Sequence, residues 1–227
     1  MSILPFVLKR YPRHRHGLLI TFEGSEGCGK STQIRRLAPR LRRAGYEVLV
    51  TREPGGTPVG ERIRHLLKFS KSNGSMKPET ELMLFSASRA QLVREKILPA
   101  LKQGQIVLCD RFADSTTVYQ GVARRLNPSF ITELNHFITD GGKPDLTLVL
   151  DLDATTGLNR ARRKTRKADR MESQRRPFYE TVRRGFRELA RREPRRVKLI
   201  DASRSIAKVE YEVRKHVESI LRKCRRE

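Results

Sequence analysis

Apolar residues fall into short runs separated by longer segments of helical spacing. "LLITFEG" (Leu18–Gly24), "YEVLVTRE" (Tyr46–Glu53), "IVLCD" (Ile106–Asp110), "LTLVLDLD" (Leu146–Asp153) and "RVKLID" (Arg196–Asp201) have the length and the aliphatic content of buried strands. After the first run, Ile34, Leu37, Ala38 and Leu41 recur at helical intervals until Gly45 stops the pattern. Residues Pro78–Gln103, Ser115–Asp140 and Ala154–Arg163 are long enough for helices, and a final helix carries Ile206, Val209, Val213, Val217, Ile220 and Leu221 on one stripe. Strands alternating with helices predict a five-stranded parallel sheet covered on both faces. In such an α/β domain the ligand lies beyond the carboxyl ends of the strands.

The junction after the first strand carries chemistry. Gly24, Ser25, Glu26, Gly27, Cys28, Gly29, Lys30 and Ser31 fit the frame G-x-x-x-x-G-K-[ST], with Thr32 next. Backbone N–H groups of such a loop cradle a polyphosphate, the Lys neutralises its outer phosphates, and the hydroxyl reaches Mg²⁺. A strand before and an amphipathic helix after make the match specific, and point to ATP with Mg²⁺. Thr32 serves equally well as a metal-side hydroxyl or as a residue suited to the first turn of a helix. Glu26 is the oddity, a carboxylate inside a cradle for anions.

Asp110 ends the third strand, where a carboxylate can hold Mg²⁺ through water. A motor-type ATPase would follow it with an acidic residue to position water. Here Arg111 follows, which suits a second anionic substrate. Arg52 ends the second strand before a Gly-rich turn, and Phe85 and Arg89, four apart, share a helix face. Ser115, Thr116, Tyr119 and Gln120 follow Asp110. Taken singly, Phe85 reads as core, Arg89 as a surface charge and Gln120 as an ordinary polar side chain.

Composition narrows the classes. The 227 residues suit one domain; 37% are hydrophobic, and no run approaches the roughly 18–20 residues of a membrane span. The opening "MSILPFVLKRYPRHRH" lacks the charge-first order of a secretory signal, so residues 1–16 are expected to be a disordered extension of a cytoplasmic protein. The domain is expected over residues 17–222, with a basic tail at 223–227. Cys28, Cys109 and Cys224 have no metal-ligand spacing, and Cys28 is read as a small residue tolerated in the loop. The five His residues form no ligand group. A net charge of +24 attracts nucleotides and permits nucleic-acid binding, but aromatics are only 6% of the chain and Trp is absent, so no stacking platform accompanies it.

Together "FEGSEGCGKST", "TREPGGT", "LFSASRAQ", "DRFADSTTVYQG", "PDLTLVLDLD" and "DRMESQRRPFYETVRRGF" resemble thymidylate kinase of the bacterial type, in order, from Leu18 to about Val217. The resemblance implies a P-loop NTPase fold, a homodimer, and ATP-dependent phosphorylation of dTMP to dTDP. It implies that Glu26 accepts a hydrogen bond from the acceptor's 3′-hydroxyl, and that Arg52 and Arg111 hold its 5′-phosphate. It gives Phe85 stacking on thymine, Arg89 and Gln120 its edge, and Tyr119 the 2′ position. Leu92 stands where many members have His, and Val118 where Ala is usual.

Members of this family differ in where the transfer arginine sits. Some carry it in the phosphate loop, at the position of Gly27; this chain resembles the type whose lid supplies it. The lid is expected over 162–176, with Arg163, Arg166 and Arg170 as candidates beside Lys30, Asp110 and Arg111. A phosphate-monoester nucleophile is largely ionised near neutrality, so no strong base is required. Kinases for another monophosphate or for a deoxynucleoside, and a nucleotide-switched nucleic-acid-binding protein, are the competing readings.

Overall fold

All five apolar runs form strands in the computed structural model, which describes residues 17–69, 75–163, 170–171 and 174–223. They are β1 (Leu18–Glu23), β2 (Val48–Arg52), β3 (Ile106–Asp110), β4 (Leu146–Asp151) and β5 (Val197–Asp201). All pair in parallel in the order β2-β3-β1-β4-β5. β1 is therefore central, and all six of its residues are buried. The registers set Phe22 and Arg52 on either side of Asp110, so the three strands end together.

Helices cover both faces, as alternation along the strands requires. On one side Leu18, Ile20 and Phe22 pack with residues of α1 (Lys30–Arg43) and the last helix. On the other, Leu19, Val107 and Cys109 meet Leu92, Val93 and Ile97. Full burial of one such aliphatic side chain is worth about 1.5–3 kcal/mol.

Two helices were not foreseen from the pattern. α2 (Pro58–Lys68) follows the Gly-rich turn, with Thr57 accepting from Gly60 N at its start and Pro58 in its first turn. The next helical stretch is a rod: α3 (Pro78–Leu92), a π-helical segment Val93–Ile97, and α4 (Leu98–Lys102). Pro99 has no N–H to give the preceding turn, and Leu98 N reaches back five residues to Val93 O.

The stretch Ser115–Asp140, expected to be helical, is divided. α5 (Ala113–Thr116) runs into a π-helical segment Thr117–Ala123, Arg125 takes φ 60°, and α6 (Pro128–Thr139) restarts behind Asn127. The Asn127 carboxamide accepts from Ser129 N and Phe130 N, a start signal legible in "NPS". α7 (Ala154–Arg162) follows β4, and α8 (Arg176–Arg192), the second unforeseen helix, lays Val182 and Phe186 against Val118 and Val149. α9 (Ile206–Lys223) buries Val209, Val213, Val217 and Leu221, while Ile206, expected on that stripe, is exposed.

The extension expected over residues 1–16, residues 224–227 of the expected tail, and most of the lid, Arg166 included, lie outside the described residues. Among the described residues no helix is long and apolar enough to cross a membrane.

Candidate active site

A cavity of about 280 Å³ opens beyond the carboxyl ends of β1, β2 and β3. From the phosphate loop it is lined by Glu26, Gly27, Gly29, Lys30, Ser31 and Thr32. Arg52, Phe85, Arg89, Asp110, Arg111, Ser115, Thr116, Tyr119 and Gln120, separated widely in sequence, line the rest. Gly24 and Ser25 sit behind this wall, where their carbonyls accept from Lys30 Nζ at 3.2 and 2.9 Å. Cys28 is buried in the core under α1.

The loop's geometry depends on glycine at two positions. Gly24 has φ 127°, and a Cβ there would lie 2.5 Å from Leu150 O. Gly27 has φ 68°, and a Cβ there would lie 2.0 Å from Gly157 O on α7. Position 27 therefore cannot carry a side chain of any kind while α7 packs where it does.

Ser31 Oγ donates to Asp110 Oδ2 at 2.5 Å, bringing together the two oxygen ligands expected for Mg²⁺. Among the described residues no three His, Cys, Asp or Glu side chains converge as a cage.

Arg111 is the centre of the second half. Its φ of 72° turns the chain sharply at the end of β3. The turn is pinned by Arg111 N donating to Phe22 O at 2.9 Å and by Phe112 N donating to Glu23 Oε1 at 2.8 Å. The guanidinium then reaches Glu26 Oε1 at 2.8 Å, Gly24 O at 3.0 Å and Ser115 Oγ at 3.2 Å, and lies 5.0 Å over the Tyr119 ring. Burial alone would push the Glu26 carboxyl up; Arg111, Lys30 and Lys68 instead bring it down to about 2. So Glu26 is a carboxylate whose charge is matched by the cations around it, which answers the oddity of its position.

Arg52 points to the same cavity, oriented by Glu61, whose two oxygens accept from Nη2 at 2.8 and 2.9 Å. Arg89 is only 1% exposed, far from the surface charge its position on the helix suggested. Its guanidinium donates to Glu53, Thr116, Asn135 and Phe112 O, and Nη2 also lies 2.7 Å from Glu53 Oε2 in a buried ion pair. Arg89 thus forms the wall.

Three buried carboxylates went unread in the sequence. Glu23 holds Phe112 N and accepts from Ser115 Oγ at 2.6 Å; burial, reinforced by the nearby Asp114 charge, raises its pKa to about 7. Glu53 pairs with Arg89, and burial outweighs that partner in raising its pKa. Glu81 accepts from Gln120, Arg124 and Arg170. Of the lid candidates, Arg163 is exposed at the end of α7, and Arg170 donates to Glu81 and to Leu67 O.

A model of the thymidylate kinase family matches residues 22–213. The chain belongs to the thymidylate kinase family. It is 48% identical over 204 residues to the thymidylate kinase of Symbiobacterium thermophilum, covering 90% of this chain and 94% of that one. It is 46% identical over 209 residues to that of Pseudomonas putida, covering 92% and 99%. The crystal structure of thymidylate kinase from Ehrlichia chaffeensis superposes with a TM-score of 0.73 at 33% identity, covering 89% of this chain and 99% of that one. Fold and family membership thus agree with the expectation from the six motifs. A thymidylate kinase is a nucleoside monophosphate kinase, and in this chain the phosphate loop, Arg52 and Arg111 line one cavity.

Proposed function

We propose that this protein transfers the γ-phosphoryl group of ATP to the 5′-phosphate of dTMP, giving dTDP and ADP. The observation that carries this is one cavity with two anion-binding halves: the phosphate loop with Lys30 and Ser31, and the guanidinium pair Arg52 and Arg111. A simple hydrolase needs only the first.

In this reading the donor lies on the loop, where Lys30 leaves the Gly24 and Ser25 carbonyls for phosphate oxygens. Ser31 directly, and Asp110 through water, would hold Mg²⁺, which would supply neutralisation of phosphate charge. Arg111 and Arg52 grip the acceptor phosphate, fork to oxygen. Phe85 offers its ring to the thymine, with Arg89 and Gln120 at the base edge. Ser115 supports Arg111, Thr116 supports Arg89, and Tyr119 crowds the sugar. Glu26 receives the 3′-hydroxyl on the carboxylate it now shares with Arg111.

Catalysis is alignment plus charge neutralisation around a loose transition state. The lid supplies the last cation from Arg163, Arg166 or Arg170. The crowding at Gly27 supports this, since the alternative position in the loop has no room. Arg170 would have to exchange Glu81 for a phosphate oxygen to serve.

A homodimer built on helix packing is supported by apolar side chains exposed on neighbouring helices, Met83 of α3 with Phe130 and Phe137 of α6, the last 76% exposed. A cytoplasmic location fits this reaction, and the +24 charge draws anionic nucleotides to the protein. The test is chromatographic separation of products from ATP, Mg²⁺ and dTMP. Stoichiometric dTDP and ADP support the proposal; ADP with inorganic phosphate and no dTDP would refute it.

A further inference from the structure

Gln120 and Glu81 are 39 residues apart in sequence and meet in a buried contact. Gln120 Nε2 lies 2.8 Å from Glu81 Oε1. Glu81 is 1% exposed, and its carboxylate is held from several sides. Arg124 reaches Oε1 through Nε at 3.3 Å and Oε2 through Nη2 at 3.1 Å, while Arg170 Nη2 reaches Oε2 at 2.5 Å. Arg124 is fixed in turn by the Phe178 ring, 4.7 Å away, and by Gln174 Oε1 at 3.2 Å. Burial opposes ionisation of Glu81, but the hydrogen bonds from Arg124 and Gln120 and the charges of Arg124 and Arg170 hold its pKa below the ordinary value.

A carboxylate so surrounded only accepts hydrogen bonds. The Gln120 group facing it must therefore be the amide NH₂. The two ends of a carboxamide are opposite in character, so fixing one fixes the other. Gln120 Oε1 is turned away from Glu81 on a side chain that lines the cavity, accepts no hydrogen bond among the described residues, and is not one of the sealed, unpaired polar atoms. It faces a ligand as a pure acceptor. Arg89, at the same edge, is held by Glu53, Thr116, Asn135 and Phe112 O.

We infer that Glu81 is a specificity-positioning residue: by locking the Gln120 amide it makes the base pocket accept a ring N–H, selecting thymine and uracil and rejecting cytosine. The inference rests on the proposed reading of the acceptor site. Thymine and uracil carry a hydrogen on ring nitrogen 3, whereas cytosine presents a bare nitrogen there. An acceptor facing an acceptor leaves two polar groups unpaired in a closed site, and sites that match a substrate N–H discriminate strongly against analogues lacking it. Because the same carboxylate anchors Arg170 and, through Arg124, Gln174, the base-reading amide and the lid stem share one buried support.

The experiment measures kcat/KM for dTMP and for dCMP with the full-length enzyme, wild type and Glu81→Gln. A neutral carboxamide at position 81 can donate or accept, so Gln120 is freed to turn its NH₂ toward the base. The dTMP-to-dCMP ratio should fall by about tenfold or more, separately from any common loss in kcat as Arg170 loses its anion. A Glu81→Gln enzyme that slows equally on both substrates, with the ratio intact, would mean that Glu81 is merely structural and would overturn the inference. If that variant does not fold, Gln120→Leu leaves the Glu81 contacts to both arginines in place and should lower the ratio similarly; an unchanged ratio there overturns the inference as well. Failure of the underlying function would look different, as a wild type without any preference for dTMP.

Discussion

Glu23 offers the most quantitative handle on the site. Its carboxyl is fully buried at the end of the central strand, and it holds Phe112 N and Ser115 Oγ beside the strained turn at Arg111. Burial first, and then the Asp114 charge, move its pKa from 4.5 to about 7 in the folded protein. A displacement of about 2.5 pH units at about 1.4 kcal/mol each corresponds to about 3 kcal/mol of pH-dependent stability. The sign follows from proton counting. Between pH 4.5 and 7 the folded chain keeps a proton that the unfolded chain has released, so this contribution is full below 4.5 and is lost as pH rises to 7.

Glu23→Gln removes the titration. Its carbonyl can still accept from Phe112 N, and its NH₂ can donate to Ser115 Oγ. Urea unfolding of both proteins at pH 4.5, 5.5, 6.5 and 7.5 reads the difference directly. The variant should gain about 3 kcal/mol relative to wild type across that range. Parallel stability curves would refute the assignment of a proton to Glu23 in the folded state.

Three further outcomes follow from the same contacts. Lys30→Ala should lower turnover by at least about 100-fold, the usual cost of losing one transition-state donor, with an unchanged far-ultraviolet circular dichroism spectrum; near-normal turnover would remove Lys30 from the mechanism. Gly27→Arg, which imitates relatives with a loop arginine, should drive a Cβ into Gly157 O and lower the melting temperature by several degrees; a variant as stable as wild type would show that α7 can move aside. Phe137→Asp should convert a dimer to a monomer in light scattering while leaving the fold intact, and a wild-type protein already monomeric at micromolar concentration would remove the basis for the interface.

What could be read in the sequence was local. The run before Gly24, the spacing of Ile34, Leu37 and Leu41 after it, and the polar ending of "VLCD" each announce an element and a site residue within a window of a few positions. α2 is hard to see because its start, Thr57 and Pro58, runs on directly from the Gly-rich turn. α8 escaped because eight of its seventeen residues are charged, so its buried stripe of Tyr179, Val182 and Phe186 is sparse. The π-helical segments leave no period of their own to detect.

The burial of Arg89 is hidden from its own position for another reason. A guanidinium can be buried only where acceptors meet it, and those acceptors come from residues 53, 112, 116 and 135. Glu23, Glu53 and Glu81 are similar: each acts through a partner brought close by the parallel sheet and its crossovers, and a single carboxylate in an apolar run gives no sign of which partner it will find.

The central claim is a phosphoryl transfer with a chosen acceptor, and one measurement addresses it directly. ADP release is followed with ATP and Mg²⁺ in the presence of dTMP, dUMP, dCMP, dGMP, AMP, thymidine, or no acceptor. The account predicts a large stimulation by dTMP, a weaker one by dUMP, and little with the others, thymidine included because it lacks the phosphate for Arg52 and Arg111. Equal rates across the panel, or hydrolysis indifferent to any acceptor, would contradict it.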